Sequence, residues 1–143
     1  MNTPERLAHL VDFWQTLTPE RVVQLAAYYT EDASFQDPFN TVQGIAAITH
    51  IFDEMFLRLV GPRFEIRETV ASGDAAFLVW DFTFGIRALK PARQRRIHGS
   101  SHIRFAPDGR VCYHRDYWDA AGELYAQLPV LGGLMRGLAR WFA

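Results

Sequence analysis

Apolar residues recur at helical spacing in three segments of the first half of the chain. The first segment places four of them on one helical face: Leu7, Leu10, Val11 and Trp14. Thr18-Pro19 then favours a helix start, because threonine caps helices and proline suits the first helical position. The second and third stripes are Val22, Val23, Ala26 and Tyr29 and, after Gly44, Ile45, Ile48, Phe52, Met55, Phe56 and Leu59. We therefore expect three N-terminal helices.

Most of the remaining chain alternates with a period of two, which is typical of strands with one buried face. The expected strands are residues 33–37, 64–68, 75–85, 97–105 and 111–118. In the long strand 75–85, one face carries Leu78, Trp80, Phe82 and Phe84, and the other carries Phe77, Val79, Asp81 and Thr83. The apolar tail 124–142 is expected to be helical, with breaks near Pro129 and Gly132-Gly133.

Helices followed by an antiparallel meander indicate an α+β fold. We expect a single domain over residues 1–143, in which three N-terminal helices pack on a curved, mostly antiparallel sheet and an extra helix follows at the C-terminus. Such a cone-shaped α+β barrel leaves a cavity between sheet and helices. Aromatic residues make up 14% of the chain, with eleven Phe, five Tyr and four Trp. This surplus favours a cavity lined with rings.

Charge and cysteine content narrow the classes of partner. A net charge of −1 gives no general reason to bind nucleic acid, and the single cysteine, Cys112, excludes an internal disulfide. No apolar run has the length of a membrane span, and the first six residues lack the apolar core of a signal sequence. A cytoplasmic location without a membrane partner is therefore expected. The basic residues Lys90, Arg93, Arg95 and Arg96 are interpreted as a solvated connection between strands.

Asp37 stands at the end of a short apolar run, directly before Pro38. One interpretation is structural, because Asp before Pro often accepts hydrogen bonds from the backbone of its own turn. The other is chemical, since a carboxylate beside aromatic rings can carry protons near neutral pH. The local sequence by itself favours the structural interpretation.

Asp116 is the second acidic candidate. On a strand, Cys112, His114, Asp116 and Trp118 share one face. Residues two apart on such a face lie about 6.5–7 Å from each other, so His114 and Asp116 are expected to share a proton network through a substrate or a water. If Asp37 also approaches, the two carboxylates do not both ionise easily in an apolar cavity, and an acid/base pair results. The alternative is a buried Asp116 that backbone, Tyr or Trp donors satisfy.

Three histidines, His98, His102 and His114, lie on neighbouring predicted strands and in principle supply the three ligands that a zinc site needs. His98 and His102, however, are expected on the face that points away from Ser101 and the pocket. We therefore expect neither a metal nor another cofactor.

Two segments carry a resemblance to a known superfamily. Residues 29–38 read Tyr-Thr-Glu-Asp-Ala-Ser-Phe-Gln-Asp-Pro, and the closing part contains Asp-Gly-Arg-Val at 108–111 and Asp-Tyr-Trp-Asp at 116–119. Together with the order of elements, they make nearly the whole chain similar to the nuclear transport factor 2-like superfamily. The resemblance implies the cone-shaped barrel and a cavity for a hydrophobic small-molecule ligand.

Within that superfamily the chain resembles the ketosteroid isomerases and the SnoaL-type polyketide cyclases. In ketosteroid isomerases the Asp-Pro aspartate is the general base, a role that the resemblance gives to Asp37. The two oxyanion donors of that family fall on Trp14 and Ser101, which are poorer donors. Polyketide cyclases of the SnoaL type use the same cavity with a sparse acid/base set, and their loose requirements fit the chain best.

The final strand is also similar to limonene-1,2-epoxide hydrolases. Their catalytic aspartate lies in a motif that residues 114–119, His-Arg-Asp-Tyr-Trp-Asp, resemble, which implies a role for Asp116. Their arginine and second aspartate fall on Trp80 and Phe82, or on Val79 and Asp81 if the register slips by one. The arginine is missing in either register.

These features predict a cofactor-independent isomerase- or cyclase-like enzyme that acts on a hydrophobic carbonyl compound, steroid- or polyketide-like. The expected catalytic residues are Asp37, Asp116 and His114. The expected lining of the substrate pocket is Trp14, Phe35, Trp80, Phe82, Ser101 and Trp118. Two alternatives stay open: a non-catalytic small-molecule-binding or dimerisation module of the same fold, and an epoxide hydrolase-like enzyme.

The apolar segment 128–141, which includes Arg136 and Arg140, is expected to close the cavity mouth or to pack at the interface of a homodimer.

Overall fold

A computed structural model describes residues 2–143, and six strands form one sheet in this part of the chain. The strands are β1 (Tyr29–Gln36), β2 (Thr41–Gln43), β3 (Leu59–Ser72), β4 (Ala75–Ile86), β5 (Arg95–Phe105) and β6 (Val111–Trp118). Their order across the sheet is β2-β1-β6-β5-β4-β3. Neighbouring strands are antiparallel except β1 and β6, which run parallel. The prediction of an α+β fold with a curved, mostly antiparallel sheet is confirmed.

The helices are α1 (Thr3–Gln15), α2 (Leu25–Tyr28), α3 (Ile45–Arg58), α4 (Ala120–Glu123) and α5 (Leu131–Phe142), with 3₁₀ segments at Pro19–Gln24 and Tyr125–Gln127. α1 begins where Asn2 Oδ1 accepts a hydrogen bond from the Glu5 N–H at 2.9 Å, a typical N-cap. Its buried residues are Leu7, Leu10, Phe13 and Trp14. α1 packs against β3, and α3 packs against β1 and β3, so the N-terminal helices cover one face of the sheet.

The second predicted helix is shorter than its apolar stripe suggests. Residues Pro19–Gln24 form a 3₁₀ segment, and α2 contains only Leu25–Tyr28. The neighbouring β-branched residues Val22 and Val23 lower the preference for an α-helix there. Tyr29 is the first residue of β1 and its side chain is fully buried. The prediction that Tyr29 belongs to the helix and that the strand starts at residue 33 is therefore wrong.

Irregular pairing bends the sheet around the helices. β3 is much longer than the predicted strand 64–68, and its register with β4 shifts between Val60 and Arg63 and again between Ile66 and Glu68. Such bulges increase the local twist and bend the strand. The core lies between the concave face of the sheet and the helices, and its largest fully buried side chains are Tyr29, Phe13, Phe35, Leu10, Leu25, Ile48, Leu78 and Ile103.

The two faces of β4 alternate as predicted. Leu78, Trp80 and Phe84 are buried on the concave face, and Phe82 is partly buried there. Asp81 lies on the opposite face, yet it is only 4% exposed, because longer polar side chains cover it. The register therefore places Asp81 outside the cavity.

The C-terminal tail contains the predicted helix but only one of the two predicted breaks. The chain turns at Pro129, where Val130 adopts φ of 60°, and α5 begins at the next residue. Gly132 and Gly133 lie inside α5, so the second predicted break is wrong. Gly132 packs against the preceding turn, since a Cβ there would lie 2.5 Å from the Ala126 carbonyl oxygen.

The outer surface of α5 exposes Leu134, Leu138, Trp141 and Phe142. That this surface pairs with a second copy of the chain, or closes the cavity, stays a prediction. No helix among residues 2–143 is both long enough and apolar enough to cross a membrane.

Candidate active site

A cavity of about 920 Å³ opens between α3 and the concave face of the sheet. Its walls are mainly apolar and include Phe35, Phe52, Met55, Phe64, Trp80, Phe82, Phe84, Ile97 and Trp118. Cavities of this size bury drug-sized ligands. Asp116 lies in the wall of this cavity and also borders an adjoining pocket of about 30 Å³, which reaches Trp14 and His114. Asp116 therefore sits at the inner end of the cavity.

The six residues that the sequence predicts for the substrate pocket all border these two spaces. Phe35, Phe82 and Trp118 line the large cavity, Trp14 and Ser101 line the small pocket, and Trp80 lines both. Their role as substrate contacts stays a prediction.

Asp116 is held by two neighbours through one of its oxygens. Ser101 Oγ lies 2.5 Å from Asp116 Oδ1, and His114 Nε2 lies 2.6 Å from the same atom. Oδ2 makes no hydrogen bond to any residue in 2–143, and 18% of the side-chain surface is exposed. One carboxylate oxygen is thus fixed, and the other is available to a ligand in the cavity.

Strand periodicity and register bring these groups together. His114 and Asp116 are two apart on β6 and share its concave face, as predicted. They contact each other directly, however, rather than through a substrate or a water. Ser101 lies directly opposite Asp116 on β5, where side chains across an antiparallel pair meet. Trp80 Nε1 donates to Ser101 Oγ over 2.8 Å and extends the network to β4.

Gly99 provides the space that the Trp80 ring occupies. The two residues are paired across β4 and β5. A Cβ added to Gly99 would lie 2.7 Å from Trp80 Cη2 and 2.9 Å from the Cβ of Trp118. Since these separations are shorter than van der Waals contact, any side chain at this position displaces an indole of the cavity wall.

Tyr29 reaches the other side of the His114 ring. Its hydroxyl lies 2.7 Å from His114 Nδ1, and both side chains are buried. Burial raises the pKa of Tyr29 well above its usual value; the nearby Trp14 indole opposes the rise and the charge of Asp116 adds to it. The phenol therefore keeps its proton. In the His114 tautomer that carries its proton on Nε2, Nδ1 accepts the phenol hydrogen and the Nε2–H faces Asp116. This tautomer follows from the hydrogen-bond partners.

The indole of Trp14 lies beside this pair, with its ring centroid 6.2 Å from that of Tyr29 and 5.9 Å from that of His114. Its N–H is buried and makes no hydrogen bond of normal geometry to residues 2–143, although it is close enough to influence the ionisation of Tyr29.

Both branches of the network direct their hydrogen bonds toward Asp116. An indole N–H only donates, so Trp80 donates to Ser101, and the Ser101 hydroxyl directs its own proton to Asp116. From the other side, the His114 Nε2–H donates to the same oxygen. Two donors on Oδ1 match a carboxylate, which only accepts. Asp116 can therefore accept a proton at Oδ2.

Asp37 lies in the turn between β1 and β2, at the rim of the large cavity. Its Oδ1 accepts hydrogen bonds from the Phe39 N–H at 2.8 Å and the Asn40 N–H at 2.7 Å. The Asn40 Nδ2 lies 3.1 Å and 3.2 Å from its two oxygens. These bonds are the ones that the structural interpretation of Asp37 requires. Its assignment as a general base stays a prediction.

His98 and His102 lie on the outer face of β5, away from Ser101, as predicted. His98 Nδ1 lies 2.7 Å from Asp81 Oδ1, and the His102 ring stacks on Phe77 with 4.6 Å between centroids. Burial lowers the pKa of His102, and the charge of Arg104 adds to the effect. Within residues 2–143, no three His, Cys, Asp or Glu side chains are arranged to hold a metal ion.

Asp81 is the centre of a separate cluster on the outer face. Besides His98, it accepts a hydrogen bond from Arg67 Nε at 2.8 Å, and Arg96 lies 4.0 Å away. The hydrogen bonds from His98 and then Arg67 lower the pKa of Asp81, and burial opposes them. The slipped register that would give Asp81 a place in an epoxide hydrolase-like site is therefore wrong.

Tyr29 is the member of the network that the sequence pattern does not reveal. It fits the apolar stripe of the predicted second helix, and its position beside His114 depends on the parallel pairing of β1 with β6. Parallel pairing between distant segments has no local signature. The one usable signal is its hydroxyl, because a tyrosine in a buried stripe needs a hydrogen-bond partner.

A sequence profile of the SnoaL-like domain matches residues 10–114, from within α1 to His114 on β6. The chain belongs to the SnoaL-like domain family. No curated protein sequence matches it.

Solved structures resemble this SnoaL-like chain over most of its length. A protein of ketosteroid isomerase-like fold from Catenulispora acidiphila, in complex with trimethylamine, is 16% identical, with 88% of this chain and 93% of that chain covered and a TM-score of 0.72. A protein named as a SnoaL-like polyketide cyclase from Shewanella denitrificans is 17% identical. The match covers 87% of this chain and 99% of that chain, with a TM-score of 0.72.

An LEH-like epoxide hydrolase from M. tuberculosis is 19% identical to the SnoaL-like chain, with 96% of this chain and 92% of that chain covered and a TM-score of 0.66. At these identities the likeness concerns the fold. The predicted membership of the nuclear transport factor 2-like superfamily is confirmed.

Proposed function

We propose that this SnoaL-like protein is a cofactor-independent acid–base enzyme of the isomerase or cyclase type, with Asp116 as its proton acceptor. Its substrate is a hydrophobic carbonyl compound, steroid- or polyketide-like. One observation carries the proposal: Asp116 presents one unbonded oxygen to an apolar cavity of about 920 Å³, while two donors hold its other oxygen.

The reaction begins with removal of a proton from the carbon next to the carbonyl group. Asp116 Oδ2 takes the proton, and the electron pair of the broken C–H bond forms the enolate. Return of the proton to a different carbon completes an isomerisation. Attack of the enolate carbon on a second carbonyl of the same substrate forms the new C–C bond of a cyclisation, and the proton then goes to the alkoxide that results.

His114 and Ser101 serve as the polar anchor of the base. Their hydrogen bonds to Oδ1 keep Oδ2 directed at the substrate, so that little reorganisation is needed when the proton moves. The aromatic walls, which include Trp80 and Trp118, keep water from competing for the carboxylate.

Exchange of the α-protons of a hydrophobic ketone in heavy water tests the proposal without knowledge of the natural substrate. With 2-tetralone as the probe, NMR measures the rate of deuterium uptake. We expect the protein to accelerate exchange and Asp116→Asn to reduce the acceleration by about 10²–10⁴-fold, the typical worth of a general base. Asp119→Asn is the matched control, because Asp119 caps α4 and asparagine caps equally well. Equal acceleration by Asp116→Asn and the unaltered protein would disprove the role of Asp116.

A second candidate is a small-molecule-binding module without chemistry. The observation in its favour is that Ser101 and His114, the donors next to Asp116, are both engaged with its carboxylate. Neither is therefore free to stabilise a developing oxyanion, which is often the largest contribution to such catalysis. Tight ligand binding without any accelerated exchange, over a panel of bicyclic and tricyclic ketones, would favour this candidate.

A further inference from the structure

Basic side chains follow one another from the end of β4 into the connection to β5, beginning at the cavity wall. Arg87 and Ala88 line the cavity directly, and the connection that follows contains Lys90 and Arg93. No acidic residue occurs in the sequence between Asp81 and Asp108. Arg87, Lys90 and Arg93 are called the basic lip below. Of these three residues Arg87 lines the cavity, and Lys90 and Arg93 lie exposed in the connection that follows it.

Arg87 is anchored but not neutralised. Its Nε donates to the carbonyl of Leu57, in the last turn of α3, at 3.1 Å, and its Nη2 donates to the carbonyl of Leu59, the first residue of β3, at 3.3 Å. Its Nη1 makes no hydrogen bond, and Arg87 forms no salt bridge, to residues 2–143. The other arginine in the cavity wall, Arg58, is instead paired with Glu54 at 3.1 Å.

The charges divide the cavity into two electrostatic ends. Asp116 lies at the inner end, and a second carboxylate brought beside it would be repelled. Arg87 at the mouth leaves donors of its planar guanidinium free, and this group matches the two oxygens of a carboxylate. Two further carboxylates line the cavity, but Glu54 is paired with Arg58 and Asp37 accepts hydrogen bonds within its own turn. The remaining wall is mainly apolar. An elongated ligand with one anionic end is therefore favoured with that end at Arg87.

We propose that the cavity binds hydrophobic carboxylates, with the carboxylate at Arg87 of the basic lip and the apolar body extending toward Asp116. Reaction of the apolar body at Asp116 rests on the proposed function, whereas binding of the carboxylate at Arg87 rests only on the charges around the cavity. The substrate class is thus a hydrophobic keto acid rather than a neutral ketone.

Two matched probes, decanoate and decan-1-ol, test this site, because they share an apolar chain and differ in charge. Fluorescence of the cavity indoles Trp80 and Trp118 reports binding. At low salt we expect decanoate to bind about three- to tenfold more tightly than the alcohol, as suits a partly exposed charge pair. The preference should decline as salt is added.

Charge variants locate the site on the lip. Arg87→Gln is expected to abolish the preference for decanoate, and Arg87→Lys to keep most of it. Arg104→Gln is the matched control, since Arg104 is an exposed arginine on the sheet that pairs with Asp74 and does not line the cavity. If Arg87→Gln lowers the thermal stability, the decanoate preference of Arg87→Lys and the salt dependence of the unaltered protein still show whether a positive charge at this position binds the carboxylate.

Equal affinity of the unaltered protein for the two probes, absence of decanoate binding, or equal effects of Arg87→Gln and Arg104→Gln would each overturn the proposal. The outcome is separable from that of the proposed function. A preference for decanoate that persists in Asp116→Asn, together with undiminished ketone exchange in that variant, would keep the anion site and remove the catalytic role of Asp116.

Discussion

The phenol oxygen of Tyr29 lies 2.7 Å from Nδ1 of His114. The opposite nitrogen of the same imidazole contacts Asp116 at 2.6 Å. A fully buried residue on β1 therefore contacts, on the side opposite Asp116, the histidine that holds the candidate base. Tyr29 lines neither the large cavity nor the small pocket that residues 2–143 form. We therefore expect it to act as a positioning residue for His114.

Tyr29→Phe is expected to preserve the fold and to disturb the orientation of His114. The variant leaves a buried imidazole nitrogen without its donor, which costs about 1–2 kcal/mol of unfolding free energy, measurable by chemical denaturation. In ¹⁵N NMR spectra we expect the single Nε2–H tautomer of His114 to give way to a mixture, and ketone exchange to slow. An unchanged tautomer would mean that Asp116 alone orients the ring.

The same pair predicts an alkaline dependence of stability. Because burial raises the pKa of Tyr29, the unfolded chain loses this proton first when the pH passes about 10. The unfolded state is then favoured, so the stability contributed by Tyr29 is present below that pH and is lost above it. The difference in unfolding free energy between the unaltered protein and Tyr29→Phe should therefore shrink between about pH 9 and pH 11. A constant difference would contradict the raised pKa.

Asp37 and Asp116 make opposite predictions when each is changed to asparagine. Asp37→Asn keeps an oxygen that accepts the Phe39 and Asn40 N–H groups, so the turn survives and we expect ketone exchange within about threefold of the unaltered rate. Asp37→Ala removes the acceptor and should cost about 1–2 kcal/mol of stability with little effect on exchange per folded molecule. Loss of exchange in Asp37→Asn, at unchanged stability, would instead establish Asp37 as the base.

Local periodicity was enough to predict the faces of the two strands that matter most. The period-two pattern correctly places His114 and Asp116 on the cavity side of β6, and Leu78, Trp80 and Phe84 on the cavity side of β4. Their side chains point inward because of the strand geometry itself. The direct contact between His114 and Asp116 depends on side-chain rotamers, which a sequence pattern does not specify.

The predictions that failed concern contacts between distant segments. Tyr29 suits a helical stripe as well as a strand, and the parallel pairing of β1 with β6 decides between them. The outer-face position of Asp81 agrees with the alternation of β4, whereas its burial, which the pattern does not reveal, comes from Arg67 on β3 and His98 on β5. Gly132 is helical and packs against the Ala126 carbonyl of the preceding turn. None of these partners is visible within a local window.

The outer cluster around Asp81 predicts how stability responds to acid. Its pKa is lowered in the folded protein, so the unfolded chain takes up this proton first as the pH falls below about 4. The stability that Asp81 contributes is therefore present above that pH and is lost below it. We expect Asp81→Asn to cost about 1 kcal/mol or less at neutral pH, since both main partners are partly exposed. In thermal melts between about pH 6 and pH 3, the melting temperatures of the unaltered protein and of Asp81→Asn should converge as the pH falls.

Asp74→Asn is the control for that measurement. Asp74 is exposed and, among residues 2–143, forms its one salt bridge with Arg104 at 3.5 Å. The stability of Asp74→Asn should therefore stay parallel to that of the unaltered protein across the acid range. Convergence of both variants to the same extent would show that general surface charge, rather than the Asp81 cluster, governs acid stability.

Gly99 predicts how the cavity wall responds to one added methyl group. A Cβ at this position would lie 2.7 Å from Trp80 and 2.9 Å from Trp118, so Gly99→Ala must displace an indole. Displacement of Trp80 also breaks its hydrogen bond to Ser101 and thereby loosens one of the two donors on Asp116. We expect a loss of about 1–3 kcal/mol in unfolding free energy, typical of overpacking, together with slower ketone exchange and altered tryptophan fluorescence. The Ser101→Ala variant separates crowding of the indoles from loss of the hydrogen bond, because it removes the same donor to Asp116 without crowding either ring. Tryptophan fluorescence shows which variants displace an indole. If Ser101→Ala slows exchange as much as Gly99→Ala does, the hydrogen bond rather than the shape of the wall controls the carboxylate.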